Sequence, residues 1–256
     1  MKRLTLIVLL LSVCQLAIAQ HLERYTGENL NYQLKWSLLG FGLFSSKAGE
    51  ASLWCQATSD GGWQLTFHGY STGLAKIFYN VDDRAWVKLD SQARVQEITH
   101  LIKGKKKKQW LVDRQQQRVY FFLSDSLMDS LSITTQEPGD ALSSIYLLRG
   151  KELFPEYQEK FCIVGRDSSG QSVWKPVAVK VIGQEKISVI DQSINCWILQ
   201  IQIDPEDNLF PGGQIKLWVT ADKQLIPVKV KSDLYLAGLV PSQIEGVLVS
   251  KQKKDD

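Results

Sequence analysis

Apolar and polar residues alternate strictly over many short segments of this chain. In the first of these segments, polar residues separate Leu30, Tyr32, Leu34, Trp36 and Leu38. A period of two places the apolar side chains on one face of a β-strand and leaves the other face to water. Because parallel strands are usually buried on both faces, this pattern predicts antiparallel pairing.

The same pattern recurs along the rest of the chain. Alternating or short apolar segments cover residues 51–57, 63–67, 119–123, 161–164, 177–182, 197–204, 215–219, 228–230 and 244–249. Sequences typical of turns interrupt them at 59–62, 167–170 and 211–213. Turns at such spacing are typical of sandwiches and barrels. We therefore predict many short strands in one continuous sheet that is strongly curved or folded on itself.

Helical patterns are few. Asp140 is placed to cap a helix over 141–149, in which Leu142, Ile145, Leu148 and Tyr146 would face inward. The following glycine, at position 150, is placed to end that helix. A second helical turn is predicted at 74–79.

These elements predict a mainly β fold. We expect a curved antiparallel sheet, or half-barrel, with one or two short helices, the longer of which covers part of the concave face. Residues 20–256 should form a single β-rich domain. Within it, 20–137 and 161–256 could behave as two halves joined by the helix at 140–150.

The first nineteen residues are interpreted as a signal peptide. Lys2 and Arg3 precede an apolar run, and the small residues Ala17 and Ala19 form a cleavage pattern. The run is short for a membrane-spanning helix, and a retained anchor is the alternative. Cys14 raises the question of a lipoprotein, but a lipidated cysteine usually follows a small residue rather than a valine. We therefore expect export to the periplasm or to the outer membrane, with no membrane-spanning segment after cleavage.

Charge and cysteine content limit the partners and the chemistry. Removing Lys2 and Arg3 lowers the formal net charge from +3 to +1, so no strong field attracts nucleic acid. Of the four cysteines, Cys55, Cys162 and Cys196 remain after cleavage. One disulfide or three buried thiols are both compatible with an exported protein. No CxxC pair is present to suggest a zinc or redox site.

We find no motif that predicts catalysis, a cofactor or a metal site. His21, His68 and His100 show no regular ligand spacing, and the sequence contains no GxSxG, HExxH, Walker or GxGxxG motif. Carboxylates at positions 204, 206 and 207 resemble part of a calcium loop, but a polar hairpin loop is the alternative interpretation. The sequence therefore gives no basis for assigning an enzymatic activity.

A run of lysines is the sharpest charged feature. Lys105, Lys106, Lys107 and Lys108 follow each other between two apolar segments, where a hairpin tip is expected. Such a run could bind the phosphates of lipopolysaccharide or of lipids, at about 1 kcal/mol per lysine. The alternative is a solvated tip that discourages edge-to-edge aggregation.

Aromatic residues and a carboxylate pair are the remaining candidates for ligand binding. Eight tryptophans are present, and aromatics on a concave sheet can stack on sugars or line a channel for acyl chains. Trp174 follows a turn and is the best candidate for an exposed aromatic. Asp82 and Asp83, near Trp86, could bind sugar hydroxyls or could simply form a turn.

Several of these segments resemble an exported bacterial family, the domain of unknown function 3108. The resemblance lies in residues 27–32 (GENLNY) with Trp36 and Gly40 or Gly42, in residues 140–149 (DALSSIYLLR), in residues 217–222 (LWVTAD) with 226–228 (IPV), and in Gly238. It spans nearly the whole of the chain after the signal peptide, and the lysine run lies outside it. It implies a curved half-barrel similar to the lipoprotein carriers LolA and LolB, with no catalytic residue to carry over.

Three hypotheses about function follow. The first is a non-enzymatic envelope protein that binds a lipid, an acyl chain or a glycan on the concave face. The second is a scaffold in an envelope complex that uses sheet edges or the lysine hairpin. The third is a hydrolase of glycan or cell wall that uses carboxylates such as Asp82 and Asp83.

Overall fold

The structure is a computed structural model that describes residues 21–38, 45–73, 75–78, 80–134, 137–203, 214–236 and 240–253. Several features singled out in the sequence lie outside these residues. They are the signal peptide at 1–19, Gly40, Gly42 and Gly238, and all of the acidic segment 204–213.

Fourteen strands and two short helices are described, after a helical turn at 21–23. The strands of the first part are β1 (Glu28–Leu38), β2 (Ser45–Ala57), β3 (Trp63–Ser71), β4 (Asp82–Leu89), β5 (Val95–Ile102), β6 (Lys106–Asp113), β7 (Arg118–Leu123) and β8 (Ser126–Ser132). Those of the second part are β9 (Gln158–Arg166), β10 (Ser172–Val189), β11 (Gln192–Ile203), β12 (Gln214–Thr220), β13 (Pro227–Leu236) and β14 (Val240–Lys253). The helices are α1 (Ala75–Phe78) and α2 (Ala141–Leu148). The predicted strands and both predicted helices are confirmed.

All fourteen strands belong to one antiparallel sheet. Its order is β8-β7-β6-β5-β4-β3-β2-β1-β14-β13-β12-β11-β10-β9, so that the first and last strands of the chain pair at its centre. No ladder joins β8 to β9 among the described strands, and the sheet is therefore a curved half-barrel rather than a closed barrel. This confirms the predicted fold class.

One face of the sheet carries the buried core, and we call it the core face. Directly paired residues of antiparallel strands point to the same side, so the register defines this face. From β2 to β7 a row of paired core-face residues is fully buried: Cys55, Leu65, Val87, Ile98, Trp110 and Phe121. The core face continues through β1 into the second half along Leu34, Gly246, Val230, Leu217, Leu199 and Val181.

Helix α2 packs on the core face, as predicted. The Asp140 carboxylate accepts a hydrogen bond from the backbone N–H of Ser143 at 2.8 Å and caps the helix. Leu142 and Tyr146 belong to the same hydrophobic cluster as the buried row, whereas Leu148 joins a second cluster on β10–β12. Among the described residues, no helix is long and apolar enough to cross a membrane.

The two edges of the sheet approach each other through side chains. Ser172, at the start of β10, donates hydrogen bonds from its backbone N and its Oγ to the Asp129 carboxylate of β8, at 2.9 and 2.6 Å. The indole N–H of Trp174 donates to the carbonyl oxygen of Ser132 at 3.2 Å. These contacts curl the sheet around α2 without adding a ladder.

The tip of the β5–β6 hairpin lies earlier than the sequence suggested. Lys103 and Gly104 have φ angles of 51° and 63°, in the left-handed region that tight hairpin turns require. Gly104 adopts such an angle without steric cost, so the chain turns there and β6 already begins at Lys106. The expectation that all of the run at 105–108 occupies the tip is wrong, and this changes the orientation of the lysines.

Candidate functional site

The lysines of the run do not form one patch, because β6 directs them to different sides. Lys105 lies in the turn. The register of β5 and β6 places Lys106 and Lys108 on the core face. Lys107 points to the outer face, where its Nζ lies 3.0 Å from Oδ1 of Asp125.

Lys108 lies in a row of mainly apolar core-face residues. From β1 to β7 the row consists of Leu30, Leu53, Phe67, Ala85, His100, Lys108 and Leu123. Leu30 and Leu53 are buried, whereas Phe67, Ala85 and Leu123 are half-buried. The apolar surface around Lys108 is therefore only partly covered by the described residues.

The ammonium group of Lys108 is in an unfavourable environment. Burial lowers its pKa, and the positive charges of Lys106 and Arg166 lower it further. Among the described residues, neither Lys106 nor Lys108 has an ion pair with a carboxylate, unlike Lys107 on the outer face. Lys108 is thus a half-buried positive charge beside apolar side chains without a compensating carboxylate among the described residues, and the exposed Lys106 adds a second positive charge next to it.

Arg166 reaches the same place from β9. Its guanidinium carbon lies 3.9 Å from the centre of the Phe121 ring, and its Nη1 lies 3.8 Å from Oδ2 of Asp129. Nη1 is buried and has no hydrogen-bond partner among the described residues. Buried donors in native proteins normally have a hydrogen-bond partner, whereas this nitrogen has only the Asp129 carboxylate at ion-pair distance. We call Lys106, Lys108 and Arg166 the lysine cluster.

His100 connects the lysine cluster to helix α2. Its ring contacts the Trp110 ring edge to face at 5.4 Å, and its Nε2 lies 4.0 Å from Oδ2 of Asp140. Asp140 is already engaged as the cap of α2, and Asp129 is held by Ser172. Both nearby carboxylates therefore have structural roles, and the cluster stays positive overall.

A second charged cluster lies at the other end of α2. Arg149 donates two hydrogen bonds to the Glu28 carboxylate, at 2.6 and 2.9 Å, and one to the carbonyl oxygen of Gln224 at 3.1 Å. The Arg149 side chain is 1 % exposed and that of Glu28 is 3 % exposed. The guanidinium carbon of Arg149 lies 3.7 Å from the centre of the Tyr25 ring. We call Glu28, Arg149 and Tyr25 the arginine cluster.

The arginine cluster joins distant parts of the chain. The Tyr25 hydroxyl donates to the carbonyl oxygens of Arg149 and Gln224, and the Tyr32 hydroxyl donates to that of Pro227 at 2.7 Å. The N-terminal turn, α2 and the β12–β13 turn are thereby held against β1. Because both charges are paired and most of their hydrogen-bonding groups are satisfied, this cluster is structural.

Sequence reasoning singled out the lysine run but missed the inward direction of Lys106 and Lys108, and it missed the arginine cluster altogether, although a signal was present for both. Glu28 shares the parity of the buried Leu30, and Lys106 and Lys108 share the parity of the buried Trp110. A charged residue at an inward position of a strand demands a partner or a ligand. The contribution of Arg166 has no such local signal, because it depends on the approach of the two sheet edges.

The predicted carboxylate pair does not converge. Asp82 and Asp83 are neighbours on β4, so their side chains point to opposite faces. Asp82 lies on the outer face with Oδ1 2.9 Å from Nε2 of His68, whereas Asp83 accepts a hydrogen bond from the backbone N of Lys103 at 2.9 Å. This arrangement does not provide the two facing carboxylates that a glycosidase uses.

Asp82 borders a groove on the outer face, with a cavity of about 460 Å³. The groove is lined mainly by polar and charged side chains, including His68, Lys76, Arg84 and Lys103. It is open and lies on the opposite side of the sheet from the lysine cluster.

The two predicted tryptophans lie in different environments. Trp86 is half-buried on the outer face, in register with Thr66 and Thr99. Trp174 is also half-buried and packs against the core next to β8 rather than standing free. Neither residue contacts the other, and their roles in ligand binding stay predictions.

The three described cysteines are free thiols. Burial raises the pKa of Cys55 to about 12 and that of Cys196 to about 11, so both thiols are unreactive. No group of three or more potential metal ligands comes together among the described residues.

A comparison with known families decides the relationship of this chain. The profile of the family described as "Protein of unknown function (DUF3108)" matches residues 31–240, well over half of the sequence. The chain belongs to the DUF3108 family. The resemblance seen in the sequence is thereby confirmed, and the match includes both β6 and α2. No curated protein sequence matches this DUF3108 member significantly.

Solved structures support the fold. A β-barrel-like protein of domain of unknown function DUF1849 from Brucella abortus superimposes with a TM-score of 0.57 at 12 % identity, over 89 % of this chain and 98 % of that chain. The hypothetical lipoprotein YmcC from Escherichia coli gives a TM-score of 0.30 at 11 % identity, over 90 % and 87 %. A LolA superfamily protein from Nitrosomonas europaea gives 0.26 at 10 % identity, over 93 % of each chain. Only the first superposition is close enough to support the shared fold.

Proposed function

We propose that this DUF3108 member is an exported, non-enzymatic binding protein that holds an amphipathic ligand on the core face of its sheet. One observation carries the proposal: half-buried apolar side chains on the core face flank inward lysines that have no acidic partner among the described residues. Export is supported by the basic and apolar N-terminal sequence.

A separate group of half-buried apolar side chains lies on the core face, mostly in the second half of the sheet. Further half-buried apolar residues on the core face are Leu34, Phe161, Ile163, Ile201, Ile203 and Val230. Covering such side chains with an acyl chain removes apolar surface from water, at about 25 cal/mol per Å². A ligand with an apolar chain would therefore gain free energy here without any chemical step.

Lipid extraction tests the proposal directly. We expect protein purified from cells to release an acyl-chain lipid that mass spectrometry identifies, or to bind a simple acyl-chain probe. Phe67→Ala, on the core face, should weaken binding of that probe. Trp86→Ala removes a half-buried aromatic from the outer face of the adjacent strand and should leave binding unchanged. Protein that releases no lipid and binds no acyl probe would contradict the proposal.

A second candidate function is a scaffold in an envelope complex. The outer groove beside Asp82 supports it, because Lys76, Arg84 and Lys103 border that groove. Crosslinked pull-down from membranes would test it, with Lys103→Glu as the variant. A partner that is captured equally well by this variant would exclude the groove as its contact surface.

A further inference from the structure

We propose that the ligand of the core face carries an anionic head, a carboxylate or a phosphate, which the lysine cluster binds beside the half-buried apolar row. This inference rests on the proposed function and adds the chemical class of the ligand head.

The direction of the lysine side chains is the first observation that supports an anionic head. Within one run of four lysines, the strand turns Lys106 and Lys108 toward the core face and Lys107 toward the outer face. Lys107 meets Asp125 there, and Lys105 remains exposed in the turn. Only the two inward lysines are placed next to the apolar surface.

Among the described residues, no carboxylate compensates the positive charge of Lys108. Lys108 is half-buried, and its charged neighbours Lys106 and Arg166 are positive. The nearest carboxylate to Arg166 is that of Asp129, at 3.8 Å, and Ser172 already donates two hydrogen bonds to it. A buried or half-buried cation without a partner costs free energy, which an incoming anion would recover.

The Arg166 guanidinium has a hydrogen-bond donor that the described residues leave unsatisfied. The buried Nη1 of Arg166 has no partner among the described residues, and its guanidinium is held in place over the Phe121 ring. A carboxylate or phosphate oxygen accepts hydrogen bonds from guanidinium and ammonium groups strongly. A ligand head beside Lys108 would satisfy this donor after a small movement of the Arg166 side chain, and its chain would lie against the apolar side chains of the Lys108 row.

The test compares ligands that differ only in the head. Isothermal titration of the exported protein, after co-purified lipid has been extracted, with decanoate, monodecyl phosphate and decanol separates the effect of the charge from that of the chain. We expect at least one anion to bind about tenfold or more tightly than decanol. Preference for decanoate or for monodecyl phosphate identifies the head as a carboxylate or a phosphate, and either supports the proposal.

Two matched double variants locate the anion. Lys106→Gln with Lys108→Gln removes two charges from the core face, and Lys105→Gln with Lys107→Gln removes the same number from the other positions of the run. The first should lose the preference for the anion, whereas the second should keep it within about twofold. Since Arg166 also contacts Phe121 and Asp129, it is not used as a variant.

The outcomes also separate this inference from the proposed function. Equal binding of decanol and both anions, or an equal effect of the two double variants, would overturn the anionic head while leaving the apolar site intact. Absence of binding for all three probes in the unmodified protein would instead contradict the proposed function itself.

Discussion

The two charged clusters at the ends of helix α2 differ in how their charges are satisfied. In the arginine cluster, Arg149 and Glu28 are almost fully buried and paired through two hydrogen bonds. In the lysine cluster, Lys108 is half-buried, and the positive charges of the exposed Lys106 and the half-buried Arg166 disfavour its ammonium form. Only Arg166 has a carboxylate at ion-pair distance, that of Asp129 at 3.8 Å. A buried charge whose partners all lie within the chain stabilises the fold. A half-buried charge without an acidic partner, such as that of Lys108, instead indicates a ligand-binding site.

The partners available to each cluster account for its exposure to water, because Arg149 is buried whereas Lys108 is half-buried. Removing water from Arg149 is acceptable because Glu28, Gln224 and the Tyr25 ring replace it. The lysine cluster keeps access to water because the described residues offer no equivalent replacement for Lys108. A ligand with a negative charge and an apolar chain would give the lysine cluster the partner and the cover that the arginine cluster already has.

Breaking the arginine cluster should have the largest effect on stability. Arg149→Met leaves the buried Glu28 carboxylate with only the Lys251 ammonium, 4.0 Å away, and should lower the free energy of unfolding by about 3–5 kcal/mol. Urea denaturation measures this. The double variant with Glu28→Gln should recover part of the loss, because no unpaired charge then remains.

An exposed ion pair provides the control for that prediction. Lys151 and Glu159 form a 2.7 Å pair whose side chains are 43 % and 30 % exposed. Lys151→Met should change the free energy of unfolding by less than about 1 kcal/mol, since water screens such pairs. A loss as large as that of Arg149→Met would contradict the special role of the arginine cluster.

Acid should weaken the same region through His21. Burial lowers the pKa of His21 to about 4, and its Nε2 lies 3.3 Å from the carbonyl oxygen of Tyr146. The unfolded chain, with a histidine pKa of about 6.5, then binds a proton that the folded chain excludes, so stability falls as the pH decreases from about 6.5 toward 4.

The variant His21→Gln keeps a hydrogen-bond donor and cannot titrate in this range. Between pH 7 and about pH 4.5, the unmodified protein should lose on the order of 1–3 kcal/mol more stability than the variant. Urea denaturation at the two pH values provides the comparison. Parallel losses in both proteins would show that His21 is accessible to protons in the folded state.

Removing charge from the lysine cluster should raise the free energy of unfolding rather than lower it, and this should be the smallest of the predicted effects. Lys108→Met keeps an apolar stem and removes an ammonium that burial and two neighbouring cations disfavour. The free energy of unfolding should rise by roughly 1 kcal/mol or less, whereas Lys107→Met should leave it unchanged or lower it slightly. Destabilisation by Lys108→Met would indicate a partner for Lys108 within the chain and would remove the need for a ligand.

Much of the fold was predictable from the sequence because it is written in a local pattern. Period-two alternation located the strands, and the carboxylate of Asp140 marked the start of α2. The direction of the lysines could also have been inferred, since Lys106 and Lys108 alternate with Lys107 in phase with Trp110. The tip assignment was wrong because the positive φ angles of Lys103 and Gly104 begin the turn earlier.

The remainder could not be predicted because it depends on contacts between distant residues. Arg149 meets Glu28 across 121 positions, and Ser172 meets Asp129 across 43. Neither contact leaves a local pattern, and the approach of Arg166 to Lys108 depends on the second of them. The curvature of the sheet, rather than any motif, assembles the candidate site.

A titration of individual lysine side chains by NMR tests the central claim most directly. In the free protein, Lys108 should lose its proton at a lower pH than an unperturbed lysine, because burial and the neighbouring cations lower its pKa. Saturation with decanoate or monodecyl phosphate should raise the pKa of Lys108, and the side-chain resonances of Lys107 on the outer face should not move. If Lys108 titrates like an ordinary exposed lysine, and neither anion alters it, the core face does not bind an amphipathic anion at the lysine cluster.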